Sequence, residues 1–172
     1  MDDWKIERLA PFHERDAFAC GKEPLDDFLH KFVNQYEKRN LGRTYVAVRP
    51  GEKSVLGYYT LASSSISFQN IPTGTARKLP KHPVPAVLLG RLAIHFSAQG
   101  KGLGGILLAD AFRRCAGLAE NLGIHATEVH ALDDEARRFY EHYGFIPLLD
   151  DDRHLYLPIT TIGTLFEGGG KP

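Results

Sequence analysis

Gln99-Gly100-Lys101-Gly102-Leu103-Gly104 joins a strand-like apolar run, Ala86 to Ile94, to a long helical pattern that begins at Leu103. Glycines let the main chain approach a ligand without side-chain collision, and a helix start offers unpaired N–H groups and a positive dipole end to an anion. The stretch reads as a pyrophosphate-binding turn. The plain alternative is that Gly102 and Gly104 make a tight strand-to-helix connection.

Just upstream, Val87 to Ile94 is apolar except at Gly90 and Arg91, which predicts a central strand buried on both faces, with Gly90 marking a bulge or splay. Downstream, Leu108, Phe112, Cys115, Ala119 and Leu122 keep helical spacing, and Gly123 is placed to close that helix. A strand over Ala126 to Leu132 follows. Asp133 or Asp134 then caps a helix ending at Tyr143, where Gly144 and Phe145 carry the signature of a left-handed cap with a hydrophobic contact. His154 to Leu157 supplies a last strand. Toward the N-terminus, Trp4 to Leu9 reads as a first strand. Pro24 opens a helix with Leu25, Leu29, Phe32 and Tyr36 on one face, ending near Asn40. Thr44 to Arg49 and Val55 to about Ser65 form a hairpin around Pro50-Gly51-Glu52-Lys53. From Phe68 to Pro85 a loop with a short helix is expected, and Pro83 and Pro85 restrict the approach to the central strand. The reading is a single α/β domain over residues 1–166 and a frayed tail over 167–172.

The chain has 172 residues, 24% of them charged and 43% apolar, as in a globular protein with a full core. No run of about eighteen apolar residues occurs, and Met1-Asp2-Asp3-Trp4-Lys5 lacks the basic start and apolar stretch of a secretory signal, so a cytoplasmic protein that avoids membranes is expected. Cys20 and Cys115, the two cysteines, suggest neither a disulfide framework nor a Cys-ligated zinc site, and no metal is expected. Lys plus Arg and Asp plus Glu number 21 each, which predicts no bulk attraction to nucleic acid. Locally, however, Lys31, Lys38, Arg39 and Arg43 fall on or just after the first helix, and Arg77, Lys78, Lys81 and His82 crowd one loop. Such clusters suit a phosphate backbone or are simply solvated surface charge.

Taken together, Leu92-Ala93-Ile94 ending the central strand, the Gln-x-x-Gly-x-Gly turn, and Phe139-Tyr140-Glu141-His142-Tyr143-Gly144-Phe145 resemble GNAT N-acetyltransferases in order and spacing. A narrower pattern comprises Phe18-Ala19-Cys20-Gly21, Leu25-Asp26-Asp27-Phe28-Leu29, Gly57-Tyr58-Tyr59 and Leu89-Gly90-Arg91-Leu92-Ala93. It resembles the acetyltransferase toxins of bacterial toxin–antitoxin pairs. The resemblance implies the GNAT fold, a mixed central sheet with splayed parallel strands flanked by helices, and acetyl-CoA as cofactor. It further implies acetylation of the amino group of aminoacyl-tRNA, arrest of translation, a ribbon-helix-helix antitoxin partner and a homodimer. Two residues depart from the pattern: His95 stands where many relatives carry an acid, and Gly105 adds a third glycine near the helix start.

By this resemblance, the backbone of Leu92, Ala93 and Ile94 binds the acetyl carbonyl and pantetheine, and Gln99, Gly100, Lys101, Gly102, Leu103 and Gly104 bind the pyrophosphate, Lys101 adding charge. Tyr140 is the candidate catalytic residue, because a phenol with pKa near 10 can protonate the leaving thiolate. Helical spacing puts Ala136, Tyr140 and Tyr143 on a face that lines the cofactor channel. Read structurally, these rings are an aromatic ridge on the sheet, a description that suits Phe139 and Phe145 better than Tyr140. No general base stands out, since Glu128, His130, Glu135 and His142 form no clear constellation. An α-amine, with a pKa of about 8 against 10.4 for lysine, needs a base less. Candidate tRNA contacts are Lys31, Lys38, Arg39, Arg43, Arg77, Lys78 and Lys81, with Arg91 near the cofactor. Competing readings are an acetyltransferase of a small amine, polyamine or protein N-terminus, and a catalytically silent acyl-CoA sensor or antitoxin-dependent DNA corepressor.

Overall fold

The computed structural model describes residues 3–167, so all of the expected tail except Glu167 lies outside the described residues. Strands β1 (Lys5–Arg8), β2 (Arg43–Val48), β3 (Gly57–Ile66), β4 (Val84–Ile94), β5 (Ala126–His130), β6 (Ile146–Pro147) and β7 (His154–Pro158) form one sheet in the order β1-β2-β3-β4-β5-β7-β6. β1, β2 and β3 pair antiparallel, β4 and β5 parallel, and β5, β7 and β6 antiparallel. This is the expected mixed sheet. The parallel pairing runs from Ala86↔Ala126 to Leu88↔Glu128, and β4 continues past it to Ile94.

The helices are α1 (Glu23–Asp27), α2 (Val33–Lys38), α3 (Thr73–Ala76), α4 (Leu103–Ala119), α5 (Asp134–His142) and α6 (Ile159–Glu167). By chain contacts there are two compact units, residues 1–62 with 89–111 and residues 63–88 with 112–172.

In the first unit, Phe18, Phe28, Leu29, Val33, Val46, Val48, Val55, Tyr58 and Ala93 make the core. Between α1 and α2 the chain makes a π-helical turn, Phe28–Phe32. That wider turn shifts the helical register. The expected face of Leu25, Leu29, Phe32 and Tyr36 is therefore corrected: Phe28, Leu29 and Val33 point into the core, while Phe32 is 46% exposed. The buried Tyr58 hydroxyl donates to the Leu25 carbonyl at 2.6 Å and pins α1 to β3. Gly90 is not at positive φ, but a Cβ there would lie 2.9 Å from Thr60 Oγ1, so a larger residue would force that side chain or the strand to shift.

In the second unit, Ile66, Ile71, Val84, Ala86, Ala126, Leu148 and Tyr156 pack together. Helix α5 is delimited as its sequence predicts. The Asp133 carboxylate accepts from Ala136 N at 2.9 Å, Gly144 has φ 96°, Gly144 N donates to Glu141 O and Phe145 N to Tyr140 O. Removing that cap with Asp133→Ala is expected to cost about 1 kcal/mol, measurable by urea unfolding.

Three boundaries differ from expectation. β4 starts at Val84, so Pro85 is its second residue, where its carbonyl accepts from His125 N at 2.9 Å. β5 stops at His130. α4 stops at Ala119, and Gly123 does not have the positive φ of a cap. The two-residue β6 and the terminal α6 carry too short or too uniform a pattern to be read from sequence.

Candidate active site

After Ile94 the chain makes a 3₁₀ turn, Phe96–Ala98, and enters the glycine stretch. The Gln99 side chain donates to the carbonyls of Cys20 (3.0 Å) and Ile94 (2.9 Å), so it fixes the turn and leaves ligand binding to main chain. Gly100 and Gly102 have φ of 75° and 85°, and the space a Cβ would occupy at either is empty. L-residues rarely adopt such φ, so conformation, not crowding, requires glycine here. Ile106 N bonds to Gly102 O at 3.2 Å, which leaves the amides of Leu103, Gly104 and Gly105 ahead of the helical ladder. An open turn with exposed Lys101 and leading amides fits a diphosphate.

Leu92, Ala93 and Ile94 end β4, with Ala93 buried and its neighbours half-buried. His95 is a satisfied histidine: its ring bonds Ser97 and the Ala17 carbonyl.

In the same unit an open cleft of about 620 Å³ is lined by Glu23, Pro24, Asp27, Phe28, Phe32, Gln35, Tyr36 and Arg91. The Arg91 guanidinium lies 3.7 Å from the Phe28 ring centre and 5.2 Å from that of Tyr36. Among the described residues no carboxylate pairs with it. Cation–π contact instead holds the charge at the cleft. Of these lining residues the sequence reading singled out only Arg91 for a site. The i, i+4 spacing of Phe28, Phe32 and Tyr36 was the available signal, but it is indistinguishable from core spacing until the π turn is seen.

In the second unit, Tyr140 is the buried residue of α5, its ring packed on Phe145 (5.4 Å) and Phe139 (5.2 Å). Phe139 is half-buried, so the ridge description suits Tyr140 more than expected. Burial pushes the Tyr140 phenol above its ordinary pKa, which keeps it protonated at neutral pH. Ala136 is half-buried with its amide held by the cap, and Tyr143 is 38% exposed.

The basic candidates divide. Lys31 pairs with Asp27 at 3.3 Å, and Arg43 with Glu37 at 3.5 Å and with Asn40. Lys38 and Arg39 are exposed at the end of α2. Arg77, Lys78 and Lys81 are exposed after α3 in the second unit.

Residues 40–147 match the family model described as an acetyltransferase (GNAT) domain. A tRNA-acetylating toxin of Mycobacterium tuberculosis strain H37Rv is 40% identical over 150 residues, 87% of this chain and 89% of the relative. Among solved structures, AtaT complexed with acetyl-methionyl-tRNAfMet superposes with a TM-score of 0.89 and 36% identity, covering 95% of this chain and 99% of that one. A tyrosine-to-phenylalanine mutant of the AtaT toxin, bound to the C-terminus of the antitoxin AtaR and to acetyl-CoA, gives 0.82 and 34%, covering 96% and 99%. No helix among the described residues is long and apolar enough to cross a membrane. Since the family model spans β4, the glycine turn and α5, and the sequence likeness extends over most of the chain, this protein belongs to the GNAT acetyltransferase family.

Proposed function

We propose that this protein transfers the acetyl group of acetyl-CoA to the α-amine of aminoacyl-tRNA and thereby blocks translation. The observation that carries the reading is the cleft at Arg91, one residue before the Leu92–Ile94 segment: an aromatic wall and a cation that, among the described residues, pairs with no carboxylate, although Glu23 and Asp27 also line the cleft. Aromatic faces stack on bases, and a guanidinium meets phosphate or base edges, so the cleft suits the end of a charged tRNA. The tRNA-acetylating relative and the AtaT complex support the same acceptor.

Acetyl-CoA supplies an activated carbonyl and a thiolate leaving group. The chain holds the diphosphate in the amides after Gly100 and offers the backbone of Leu92, Ala93 and Ile94 to the acyl arm. As nitrogen bonds to the carbonyl carbon and the C–S bond breaks, the amine sheds one proton and the sulfur gains one. Tyr140 provides the latter, and the proton the amine sheds passes to solvent, from which the phenol is restored. An α-amine is neutral at pH 7 far more often than a lysine, which eases attack without a dedicated base. Further parts of the reading are a cytoplasmic location, a homodimer, and neutralisation by a ribbon-helix-helix antitoxin; the complex of AtaT with the AtaR C-terminus supports an antitoxin partner.

The test is an acceptor panel. Purified protein with labelled acetyl-CoA is offered charged tRNA, deacylated tRNA, a polyamine and a peptide N-terminus. Label on charged tRNA alone is expected, and label on the polyamine or peptide would replace the proposal with the small-amine or N-terminal reading. With charged tRNA as acceptor, Arg91→Ala is expected to raise its KM about tenfold, the loss of roughly 1.4 kcal/mol for one charged contact, and to leave the KM for acetyl-CoA unchanged. Charge reversal at Arg77, Lys78 and Lys81 should weaken tRNA use and flatten its salt dependence, read from rates across a salt series. Unchanged rates would remove that loop from docking.

A further inference from the structure

We propose that Glu128, His130 and His154 bind a divalent transition-metal ion of the zinc class. Antiparallel register sets His130 of β5 opposite His154 of β7 and Glu128 opposite Tyr156. Side chains alternate along a strand, so Glu128, His130 and His154 emerge on one face of the β5–β7 ladder. The two imidazoles stack at 4.1 Å with an interplanar angle of 16°, and one ligand atom from each of the three residues falls within 4.8 Å of the others.

The donor set and its support suit such an ion. Two imidazoles and one carboxylate, with a position left for water, are a known donor combination for zinc. Asp150 accepts from His154 Nδ1 at 2.8 Å, with its second oxygen at 3.1 Å. A carboxylate on Nδ1 fixes the tautomer and aims the bare Nε2 outward as a ligand. That Nε2 faces a second carboxylate, Glu128 Oε2 at 2.7 Å. A neutral imidazole cannot satisfy both acceptors, so the arrangement calls for a cation between Nε2 and Oε2, either a proton or a metal. For zinc the two atoms must each sit about 2 Å from the ion and therefore part by roughly half an ångström. Glu128 and His154 are buried, and His130 forms an exposed lip through which an ion can enter. The ion ties β5 to β7.

Glu128 and His130 stood in the sequence without a partner; His154 joins them through strand register alone. Untagged protein stripped with a chelator and titrated with zinc chloride should bind one ion per chain in calorimetry, with a raised melting temperature. Cobalt(II) in its place should give the visible bands of a low-coordinate nitrogen and oxygen site. His130→Ala, at an exposed position and with its fold checked by circular dichroism, should abolish the bands and the melting shift. Asp150→Asn should weaken binding 10- to 100-fold. Equal zinc binding by the wild type and His130→Ala, or no melting shift in the wild type, would overturn the site and leave the proton as the occupant.

Discussion

Tyr140→Phe is expected to lower kcat for acetyl transfer about 100-fold or more, the range for a positioned general acid, while leaving both KM values and the melting temperature nearly unchanged. The separation of these effects comes from the packing. The ring keeps its contacts with Phe139 and Phe145, and the one atom lost is the hydroxyl. Burial holds the phenol above its ordinary pKa, so it carries its proton throughout the neutral range and has no ionised fraction to limit the rate. A phenol so raised is a reluctant acid on its own. In the proposed transfer the amine nitrogen loses a proton as the sulfur gains one, so the exchange that Tyr140 would serve is neutral overall. Steady-state rates of the two proteins, with unfolding curves beside them, decide the matter. Equal kcat would reduce Tyr140 to a packing ring.

Gly102→Val is expected to raise the KM for acetyl-CoA at least tenfold with the fold retained. At φ 85° a β-branched residue is forced out of the left-handed region, at a cost of about 1–2 kcal/mol for any L-residue and more for valine. The loop relaxes by turning its amides away. Nothing lies within 4 Å of the position a Cβ would take, so a steric clash inside the protein does not explain the loss. Gly102→Ala should fall between the wild type and valine. Initial rates against acetyl-CoA concentration give both numbers, and an unchanged KM in the valine variant would show that the turn is merely a connection.

Features set by neighbouring residues were legible before the fold was seen. The start of α4 at Leu103, the Asp133 cap and the Gly144 terminus each depend on a few adjacent positions whose chemistry admits little else. What stayed hidden depends on distant partners. Phe32 faces outward because a π turn changes the helical register, and nothing in its spacing announces that turn. Gln99 looked like a phosphate ligand, yet its amide is spent on the carbonyls of Cys20 and Ile94, which only the folded chain brings near. The aromatic surroundings of Arg91 are of the same kind, since Phe28 and Tyr36 belong to a segment far upstream. His154, remote in sequence from Glu128 and His130, meets them through pairing.

The claim under all of this is that the folded chain holds acetyl-CoA through the main chain that follows β4. Isothermal titration of the wild-type protein with acetyl-CoA, and separately with coenzyme A, tests it most directly. Saturable binding of one molecule per chain by both is predicted. Absence of heat from either ligand, with protein shown to be folded in the same buffer, would contradict the account.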